Sequence, residues 1–298
     1  MNENSHNVFA GAYIDRASEY RANARWLSKA LAEEQARFVL VNKGGCLACP
    51  ENHRLALLRQ AELQFQPKIE NVVFLGLSAQ TPVFAVSAPN DWPVEAVEYE
   101  FVELRQLGAW LEADQANLAA HAVGMFQWLR TQRYCPRCAS ATQIEAAGYA
   151  SLCASDACGL RTFPRLDPAI IVLVADHDSD RCLLGRQQSW PAKMYSTIAG
   201  FVEPGESLED AVVREVFEET NIRVDAVSYQ SSQPWPFPAS LMVGFHARAI
   251  SLEICRNDGE LADVNWFSRD DLKQGRVKIP PQQSISRRLI DSWLNGES

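Results

Sequence analysis

Three glutamates in the second half of the chain, Glu215, Glu218 and Glu219, have the type and spacing of metal ligands. At about 100° per residue they fall within an arc of roughly 100° on one face of a helix. Three carboxylates this close repel one another unless a cation lies among them. Oxygen ligands in such a cluster favour a hard divalent ion, Mg²⁺ or Mn²⁺. The alternative is a solvated acidic helix face, which is what most such runs of glutamate are.

The residues before these glutamates predict the helix that positions them. Ser207 has the place of an N-cap, and Asp210 stands where the usual capping-box glutamate would be. Leu208, Val212 and Val216 recur at four-residue spacing and predict a buried face. The sequence therefore predicts an amphipathic helix that follows a glycine-containing loop.

The stretch from residue 200 to residue 222 resembles the Nudix box, G-x5-E-x7-R-E-U-x-E-E-x-G-U. The matching residues are Gly200, Glu206, Arg214, Glu215, Val216, Glu218, Glu219 and Ile222. Asn221 stands where the family has glycine. That glycine is best explained as a left-handed residue at the end of the helix, a conformation that Asn adopts more readily than most residues. We therefore expect the substitution to leave the metal ligands in place.

Length and composition are those of an ordinary globular protein. The 298 residues, 47% of them hydrophobic, allow two domains with separate cores. The net charge of −9 argues against broad, sequence-independent binding of nucleic acid. The sequence contains no apolar run near the roughly 18 residues of a membrane span, and its first residues lack the pattern of a secretory signal. These features predict a cytoplasmic location, where the eight cysteines are metal ligands or free thiols rather than disulfides.

Four of the cysteines have the spacing of a tetrahedral zinc site. They are Cys135, Cys138, Cys153 and Cys158. Two pairs at this separation predict a ribbon with a hairpin between them, and four thiolates leave no open position, so the zinc is structural. Ribbons often bind nucleic acid, but the segment from residue 136 to residue 159 has one basic residue, Arg137. We therefore favour a ribbon that joins two domains.

A further pair, Cys46 and Cys49, lies four residues before His53 and could supply three zinc ligands. Because the sequence offers no obvious fourth ligand nearby, we interpret the two cysteines as free thiols in a loop. His121 is interpreted as a residue packed on its helix.

Hydrophobic periodicity predicts three domains: an α+β domain over residues 1–130, the ribbon over 131–162, and an α/β domain over 163–298. In the first we expect helices over 16–37 and 114–130. In the last we expect strands over 169–175, 182–186, 194–199, 224–231, 241–250 and 265–268, and a helix over 283–294. This order gives a mixed sheet between helices, which agrees with the α/β/α sandwich that the Nudix resemblance implies.

Three features outside the box resemble the NADH pyrophosphatase family of Nudix hydrolases. They are the cysteine ribbon, the segment FPRLDPAII from Phe163, and the segment SQPWPFPAS from Ser232 to Ser240. The resemblance covers residues 130–294 strongly, whereas the N-terminal domain matches only in position and size.

The resemblance implies roles for individual residues. The metal ligands would be Glu215, Glu219, Glu260 and the carbonyl oxygen of Ala199, with Glu218 close by. Phe201 would stack on the nicotinamide ring, and Phe163 replaces a family tyrosine, keeping its stacking face without its hydroxyl. The other implied substrate contacts are Gln233, Pro234, Trp235, Pro236, Phe237, Pro238, Ala239, Ser240, Met242 and Ser286.

The implied reaction is hydrolysis of the pyrophosphate bond of NADH or NAD⁺ to nicotinamide mononucleotide and AMP. Divalent ions held by the glutamates would stabilise the phosphoryl charge, and Glu218, or second to it Glu260, would accept the proton of the attacking water. Arg214 is expected to orient the glutamates through ion pairs. An NAD cap on RNA contains the same bond, so its removal is a related activity. The resemblance also implies a homodimer.

Two alternatives stay open on the sequence alone. One is a Nudix hydrolase of another nucleoside diphosphate derivative, such as ADP-ribose. The other is an inactive, ribbon-bearing nucleic-acid or regulatory protein, which the presence of all three box glutamates disfavours.

Overall fold

The computed structural model describes residues 7–11, 13–43, 45–89, 92, 98–256 and 259–296. They form two compact units. The glutamate unit contains residues up to Val8, Asp167–Pro234 and the residues from Ser240 onward. The ribbon unit contains Phe9–Leu166 and Trp235–Ala239. The domain boundaries at 130 and 162 stay a prediction.

The ribbon unit begins with an α+β fold. Its strands are β1 Arg37–Asn42, β2 Gly45–Cys49, β3 Arg54–Leu55, β4 Val72–Ser78, β5 Thr81–Ser87 and β6 Glu100–Val102. Its helices are α1 Ala24–Leu31, α2 Leu104–Leu107 and α3 Ala113–Thr131. The sheet has the order β3-β2-β1-β5-β4, with β6 also pairing with β2. β1 and β5 are parallel, and the aromatic residues Phe38, Phe74 and Phe84 are buried at the centre of this core.

Helix α1 is much shorter than the predicted helix over 16–37. Ala17 has a left-handed backbone (φ 41°), and Asn23 accepts a hydrogen bond from the backbone N–H of Trp26 and so begins the helix at Ala24. Asn favours this capping position over the interior of a helix. The apolar spacing on which the prediction rests continues across Ala17 and Asn23, where the helix is interrupted. Helix α3, in contrast, extends the prediction over 114–130 by one residue at each end.

Cys46 and Cys49 lie on strand β2, so the predicted loop is wrong. Their relative exposures are 0% and 4%, and both are free cysteines. Burial raises the pKa of the Cys46 thiol to about 12, which keeps it protonated and unsuited to bind a metal. His53 stacks on Trp110 instead of approaching a metal site.

Three short strands carry the cysteine ribbon. They are β7 Thr142–Glu145, β8 Ala150–Cys153 and β9 Arg161–Thr162, all antiparallel to their neighbours. The hairpin predicted between the two cysteine pairs is therefore present as β7 and β8. A 3₁₀ turn over Ala146–Gly148 connects the two strands.

The glutamate unit is an α/β/α sandwich, which confirms the predicted fold class. Its strands are β10 Asp167–Asp176, β11 Arg181–Gln187, β12 Ile198–Phe201, β13 Val224–Trp235, β14 Ser240–Ala249 and β15 Leu261–Ser268. Its helices are α4 Leu208–Thr220, α5 Arg269–Lys273 and α6 Ile285–Leu294. The sheet has the order β13-β14-β10-β11-β15, with β12 also pairing with β10. β10 and β14 are parallel and the other pairs that β10 and β11 make are antiparallel, so the sheet is mixed as predicted.

Each face of this sheet has its own core. One core packs Val212 and Val216 of α4 against Ile170, and the other packs Leu289 and Trp293 of α6 against the opposite side of β10. The alternation of side chains along β10 therefore supplies both layers, because successive residues of a strand point to opposite faces.

The strand predicted over 194–199 is wrong in position, because the strand here is Ile198–Phe201. Before it, the backbone pairs with an irregular segment: Tyr195 N–H donates to the carbonyl of Lys278, and Lys278 N–H donates to that of Lys193. Lys193 itself has a left-handed backbone (φ 66°). Lys278 is distant in the sequence, and the backbone at Lys193 is not that of a regular strand. Local periodicity therefore did not indicate this pairing.

Both predicted ends of helix α4 are confirmed. The Ser207 hydroxyl accepts from Asp210 N–H at 3.1 Å, and the Asp210 carboxylate accepts from Ser207 N–H at 3.1 Å. Asn221 closes the helix in a left-handed conformation (φ 66°, ψ 5°) and donates its N–H to the carbonyl of Phe217 at 2.7 Å. No helix in the described part of the chain combines the length and apolar character that a membrane crossing requires.

The conformation of Asn221 predicts opposite outcomes for two substitutions. Asn221→Ala should lower the free energy of unfolding by about 1 kcal/mol, because a Cβ without a polar group is disfavoured in the left-handed region. Asn221→Gly should change it by less than about 0.5 kcal/mol, because glycine adopts this conformation freely. Urea unfolding of both variants measures the difference. Equal stability of the two would contradict the helix-end role.

Candidate active site

Arg214 connects the acidic side chains of the Nudix box. Its Nε donates to Glu206 at 2.5 Å, and its Nη1 donates to Glu215 and to Glu218 at 2.9 Å each. Its Nη2 donates to the backbone carbonyl of Phe201 at 2.8 Å. The hydrogen bond from Arg214 lowers the pKa of Glu206 to about 2, and Glu206 in turn raises the pKa of Arg214. The arginine therefore fixes the glutamates and the loop as one unit, as expected from the sequence.

The Glu215 carboxyl group lies directly against the backbone of Gly200. A Cβ at residue 200 would stand 1.9 Å from Cδ of Glu215, which only glycine avoids. Burial raises the pKa of Glu215; Arg214 opposes the shift, and the negative charges of Glu218 and Glu260 add to it. Glu260 therefore acts on Glu215 although it is distant in sequence. A carboxyl group with this surplus of negative charge around it is suited to a cation.

The remaining predicted ligands lie on the same two elements. Glu219 follows Glu218 on α4 and is 5% exposed, and Ala199 lies on β12 in register with Ile171 of β10. Arg214 contacts one oxygen each of Glu215 and Glu218, so the second oxygen of each carboxylate is the one suited to an ion. Carboxylates and a carbonyl are the types of hard oxygen ligand that divalent ions such as Mg²⁺ and Mn²⁺ prefer.

The four ribbon cysteines converge on one point. Their sulfur atoms all lie within 4.8 Å of one another, with 3.8 Å between Cys135 and Cys158 and 3.4 Å between Cys138 and Cys153. A tetrahedron with Zn–S distances of about 2.3 Å has edges of about 3.8 Å. The arrangement therefore fits a structural zinc ion without rearrangement of the fold.

Two residues predicted to contact substrate are engaged inside the glutamate unit. Gln233 has no exposed surface; its amide donates to the carbonyls of Val8 (3.1 Å) and Gln283 (2.7 Å) and accepts from Ile285 N–H (2.9 Å). Two of these hydrogen bonds hold the start of helix α6, and the third holds the N-terminal segment at Val8. In this structure the Gln233 side chain stabilises the backbone of neighbouring segments and does not face a ligand.

Ser286 is buried in the same way, with 1% of its surface exposed. Its hydroxyl oxygen lies 2.8 Å from the Ser196 hydroxyl and 2.9 Å from that of Thr197, and it accepts from Thr197 N–H at 3.2 Å. These hydroxyl groups connect α6 to the segment that leads into β12 and Ala199.

The other predicted substrate residues are divided between the two units. Phe201, Pro234, Ser240 and Met242 belong to the glutamate unit; Phe163, Trp235, Pro236, Phe237, Pro238 and Ala239 belong to the ribbon unit. Phe201 is 60% exposed and Phe163 63%, so both rings are available for stacking. Ser240 is buried at the start of β14.

Arg105 was not predicted from the sequence and lies over two rings of the SQPWPFPAS segment. Its guanidinium carbon is 5.1 Å from the ring centre of Trp235 and 4.1 Å from that of Phe237. The two rings meet edge to face at 5.0 Å. No motif surrounds Arg105, so only its position in the fold indicates this contact.

Comparison with known proteins places the chain in a family. Its residues 35–128 match the NADH pyrophosphatase-like rudimentary NUDIX domain, 130–163 the NADH pyrophosphatase zinc ribbon domain, and 165–291 the NUDIX domain. The NAD-capped RNA hydrolase NudC of Mycobacterium bovis is 37% identical over 94% of this chain and 92% of its own length. The chain belongs to the NADH pyrophosphatase family of Nudix hydrolases.

Two further matches accompany this assignment. The NAD-capped RNA hydrolase NUDT12 of Macaca fascicularis is 31% identical to this family member over 98% of the present chain and 74% of its own length. A crystal structure of a Nudix hydrolase from Nitrosomonas europaea covers 55% of the chain and 90% of its own, with 16% identity and a TM-score of 0.45.

The family match adds one finding that the sequence reasoning missed. The N-terminal α+β region of this Nudix hydrolase matches a rudimentary Nudix domain. That region lacks the glycine, arginine and glutamate pattern of the box, so no local signal related it to the second half of the chain.

The contact between Gly200 and Glu215 predicts the effect of one added methyl group. Gly200→Ala should displace the Glu215 carboxyl group and weaken Mn²⁺ binding by about 10–100-fold, the usual effect of disturbing a metal ligand's support. Electron paramagnetic resonance titration of Mn²⁺ measures the affinity. Gly124→Ala is the control, because a Cβ at residue 124 would meet its nearest neighbour at an ordinary 3.6 Å. Unchanged affinity in Gly200→Ala would contradict the assignment of Glu215.

The ribbon geometry predicts zinc content. Cys138→Ser should reduce bound zinc from about one ion per chain to nearly none and lower the thermal stability, because metal binding and ribbon folding are coupled. Cys255→Ser removes an exposed cysteine outside the ribbon and should retain the metal. Atomic absorption and thermal unfolding provide the measurements; full zinc content in Cys138→Ser would exclude the four-cysteine site.

Proposed function

We propose that this protein hydrolyses the pyrophosphate bond of NADH and NAD⁺ to nicotinamide mononucleotide and AMP, with Mg²⁺ or Mn²⁺ as cofactor. The observation that carries the proposal is the cluster of Glu206, Glu215 and Glu218 around Arg214, next to Gly200 and Phe201 at the end of strand β12. This cluster occurs in a chain that matches all three domains of the NADH pyrophosphatase family.

The metal ligands in this proposal are Glu215, Glu219, Glu260 and the Ala199 carbonyl. Divalent ions bound there supply positive charge for the phosphoryl oxygens as water attacks. Glu215 is partly buried among negative charges, and the dinucleotide pyrophosphate that it would face is also anionic. Without a cation the two would repel each other.

Glu218 is the proposed general base. Its side chain is 52% exposed, compared with 13% for Glu215, so it can receive a proton from water and release it to solvent. Arg214 holds one of its oxygens at 2.9 Å through the same Nη1 that donates to Glu215, and so keeps the two carboxylates together. Glu260 is the second candidate for this role.

Phe201 of the glutamate unit is the proposed stacking surface for the nicotinamide ring, and Phe163 of the ribbon unit is a further proposed substrate contact. Each ring is more than half exposed in this structure, and an exposed aromatic ring is suited to a planar base. Within the glutamate unit, the residues proposed to shape the pocket are Gln233, Pro234, Ser240, Met242 and Ser286. Gln233 and Ser286 support that role indirectly, because their side chains form hydrogen bonds that hold neighbouring segments of the glutamate unit in place. Trp235–Ala239 of the ribbon unit are proposed as further substrate contacts.

NAD-capped RNA is included as a substrate, because the cap contains the same pyrophosphate bond. The relatives from Macaca fascicularis and Mycobacterium bovis bear the name NAD-capped RNA hydrolase. The net charge of −9 favours recognition of the cap over extensive contact with the RNA chain.

We further propose a homodimer located in the cytoplasm. Leu166 exposes 65% of its surface, and an exposed apolar side chain of this size is suited to an interface. A reducing compartment suits a chain whose eight cysteines are all free. Light scattering coupled to size exclusion tests the oligomer, and a monomer would contradict it.

The function is tested by incubation with Mg²⁺ and each of NADH, NAD⁺, ADP-ribose and NAD-capped RNA, with and without chelator. Mass spectrometry should identify nicotinamide mononucleotide and AMP from NADH. Hydrolysis of ADP-ribose alone would replace the proposal with another nucleoside diphosphate hydrolase, and no hydrolysis with any metal would reject it.

Substitutions on α4 separate the proposed roles. Glu218→Gln should lower kcat by about 10²–10⁴, the usual contribution of general base catalysis, while the KM for NADH changes little. Glu219→Gln should weaken Mg²⁺ activation, so that more metal is required for half-maximal rate. Glu209→Gln changes an exposed glutamate of the same helix and should leave both unchanged. Full activity in Glu218→Gln would exclude it as the base.

A further inference from the structure

Four side chains of the ribbon unit contact one another in a row that does not include the cysteines: Arg21, Tyr149, His121 and Arg16. The guanidinium carbon of Arg21 lies 3.5 Å from the ring centre of Tyr149. The Tyr149 hydroxyl is 2.7 Å from Nε2 of His121, and Nη1 of Arg16 is 2.5 Å from the same nitrogen. Two arginines are thus joined through a tyrosine and a histidine that are both mostly buried.

Within the part of the chain that the structure describes, the positive charges of Arg16 and Arg21 are not paired with a carboxylate. Among the described residues, the side-chain partners of Arg16 and Arg21 are the His121 ring, the Tyr149 ring and a backbone carbonyl. Nε of Arg21 is buried and has no hydrogen-bond partner among the described residues. Burial, together with the charges of Arg16 and Arg21, holds the pKa of His121 well below its usual value, so the histidine is neutral. Two cations and an unsatisfied donor are a suitable setting for an anion.

Arg21 and Tyr149 line a cavity large enough for a small ligand. Its volume is about 770 Å³, within the range of roughly 300–1,000 Å³ that small-molecule sites occupy. Leu27 and Ile144 contribute apolar wall, and the exposed ring of Phe163 borders the same space. An arginine fork beside apolar and aromatic surface matches a phosphate attached to a planar base.

The acidic residues of the cavity restrict the number of phosphates. Glu145 is paired with Arg161 at 2.7 Å, and Glu70 is an exposed residue of the lining. Two carboxylates in the lining would repel a triphosphate more strongly than a single phosphate. The charge balance therefore favours one phosphate group beside Arg21.

We propose that this cavity of the ribbon unit binds a nucleotide unit that carries one phosphate, with Arg21 as the phosphate-binding residue and Tyr149 beside the base. The unit is either a free nucleoside monophosphate or one nucleotide of an RNA chain. Binding here involves none of the box glutamates and does not require hydrolysis of NADH.

Photolabelling of the zinc-loaded full-length protein tests the site. With 8-azido-AMP as probe and no added Mg²⁺, we expect label on residues 18–27 or 144–150. The probe 8-azidoadenosine lacks the phosphate and should label these residues at least tenfold less. Label on Phe163 or on residues 199–242 would report the proposed catalytic site separately, so failure of either proposal is recognised on its own residues.

Arg21→Gln should raise the half-saturating concentration of 8-azido-AMP by about tenfold or more, the usual effect of losing a hydrogen bond to a charged group. Arg25→Gln is the matched control, because Arg25 lies exposed on α1 and does not line the cavity. The control should label like the unchanged protein. Zinc content and thermal unfolding verify that both variants are folded.

Competition distinguishes the two sources of the nucleotide. Protection of the cavity residues by AMP indicates a free nucleotide, and protection by a six-nucleotide single-stranded RNA alone indicates a unit of RNA. The proposal is overturned when the cavity residues stay unlabelled, when 8-azidoadenosine labels them as well as 8-azido-AMP, or when folded Arg21→Gln labels like Arg25→Gln. If Arg21→Gln does not fold, the comparison of the two probes on the unchanged protein still decides.

Discussion

Repulsion among the carboxylates of one helix is the constraint that the site must satisfy, and Arg214 is the group that satisfies it. The guanidinium presents several donors in one plane, and here they reach three glutamates and a backbone carbonyl. Lysine carries the same charge but has no fixed fork that could serve residues of both the loop and the helix. The arginine therefore neutralises part of the cluster and also sets the distance between the loop and α4.

The rest of the glutamate unit keeps this arrangement in place. Gly200 permits β12 to approach α4 so closely that the Glu215 carboxyl group touches the strand backbone. On the far side, Ser286 joins helix α6 to Ser196 and Thr197, which lead into the same strand. The strand that carries Ala199 is thus supported from both layers of the sandwich. A site that must bind highly charged groups gains from such preorganisation, because its ligands cannot relax toward water.

The features that the sequence predicted correctly depend on neighbours along the chain. Helix α4 begins and ends at local signals, Ser207 with Asp210 and Asn221, and the ribbon follows from the spacing of its cysteines. Glu260 has no local signal of this kind and was indicated only by family resemblance.

The features that the sequence did not predict depend on distant partners. Lys278 pairs with the segment before β12, and Cys46 of β2 pairs with Val102 of the distant strand β6. The orientation of Gln233 also belongs here, since its three partners come from two remote segments. Residue type indicates what such a side chain can bind but not which group the fold brings to it.

The membership of Trp235–Ala239 in the ribbon unit has a consequence for biosynthesis. Because these five residues follow β13, the ribbon unit lacks part of its aromatic contacts, including those of Arg105, until most of the second unit has been translated. Neither unit is therefore a continuous piece of chain, and the two cannot mature strictly one after the other on the ribosome. A gene fragment that ended at residue 166 would encode the first half of the protein without the rings of Trp235 and Phe237. Exchange of the Nudix domain between relatives by simple recombination would likewise separate Arg105 from its partners.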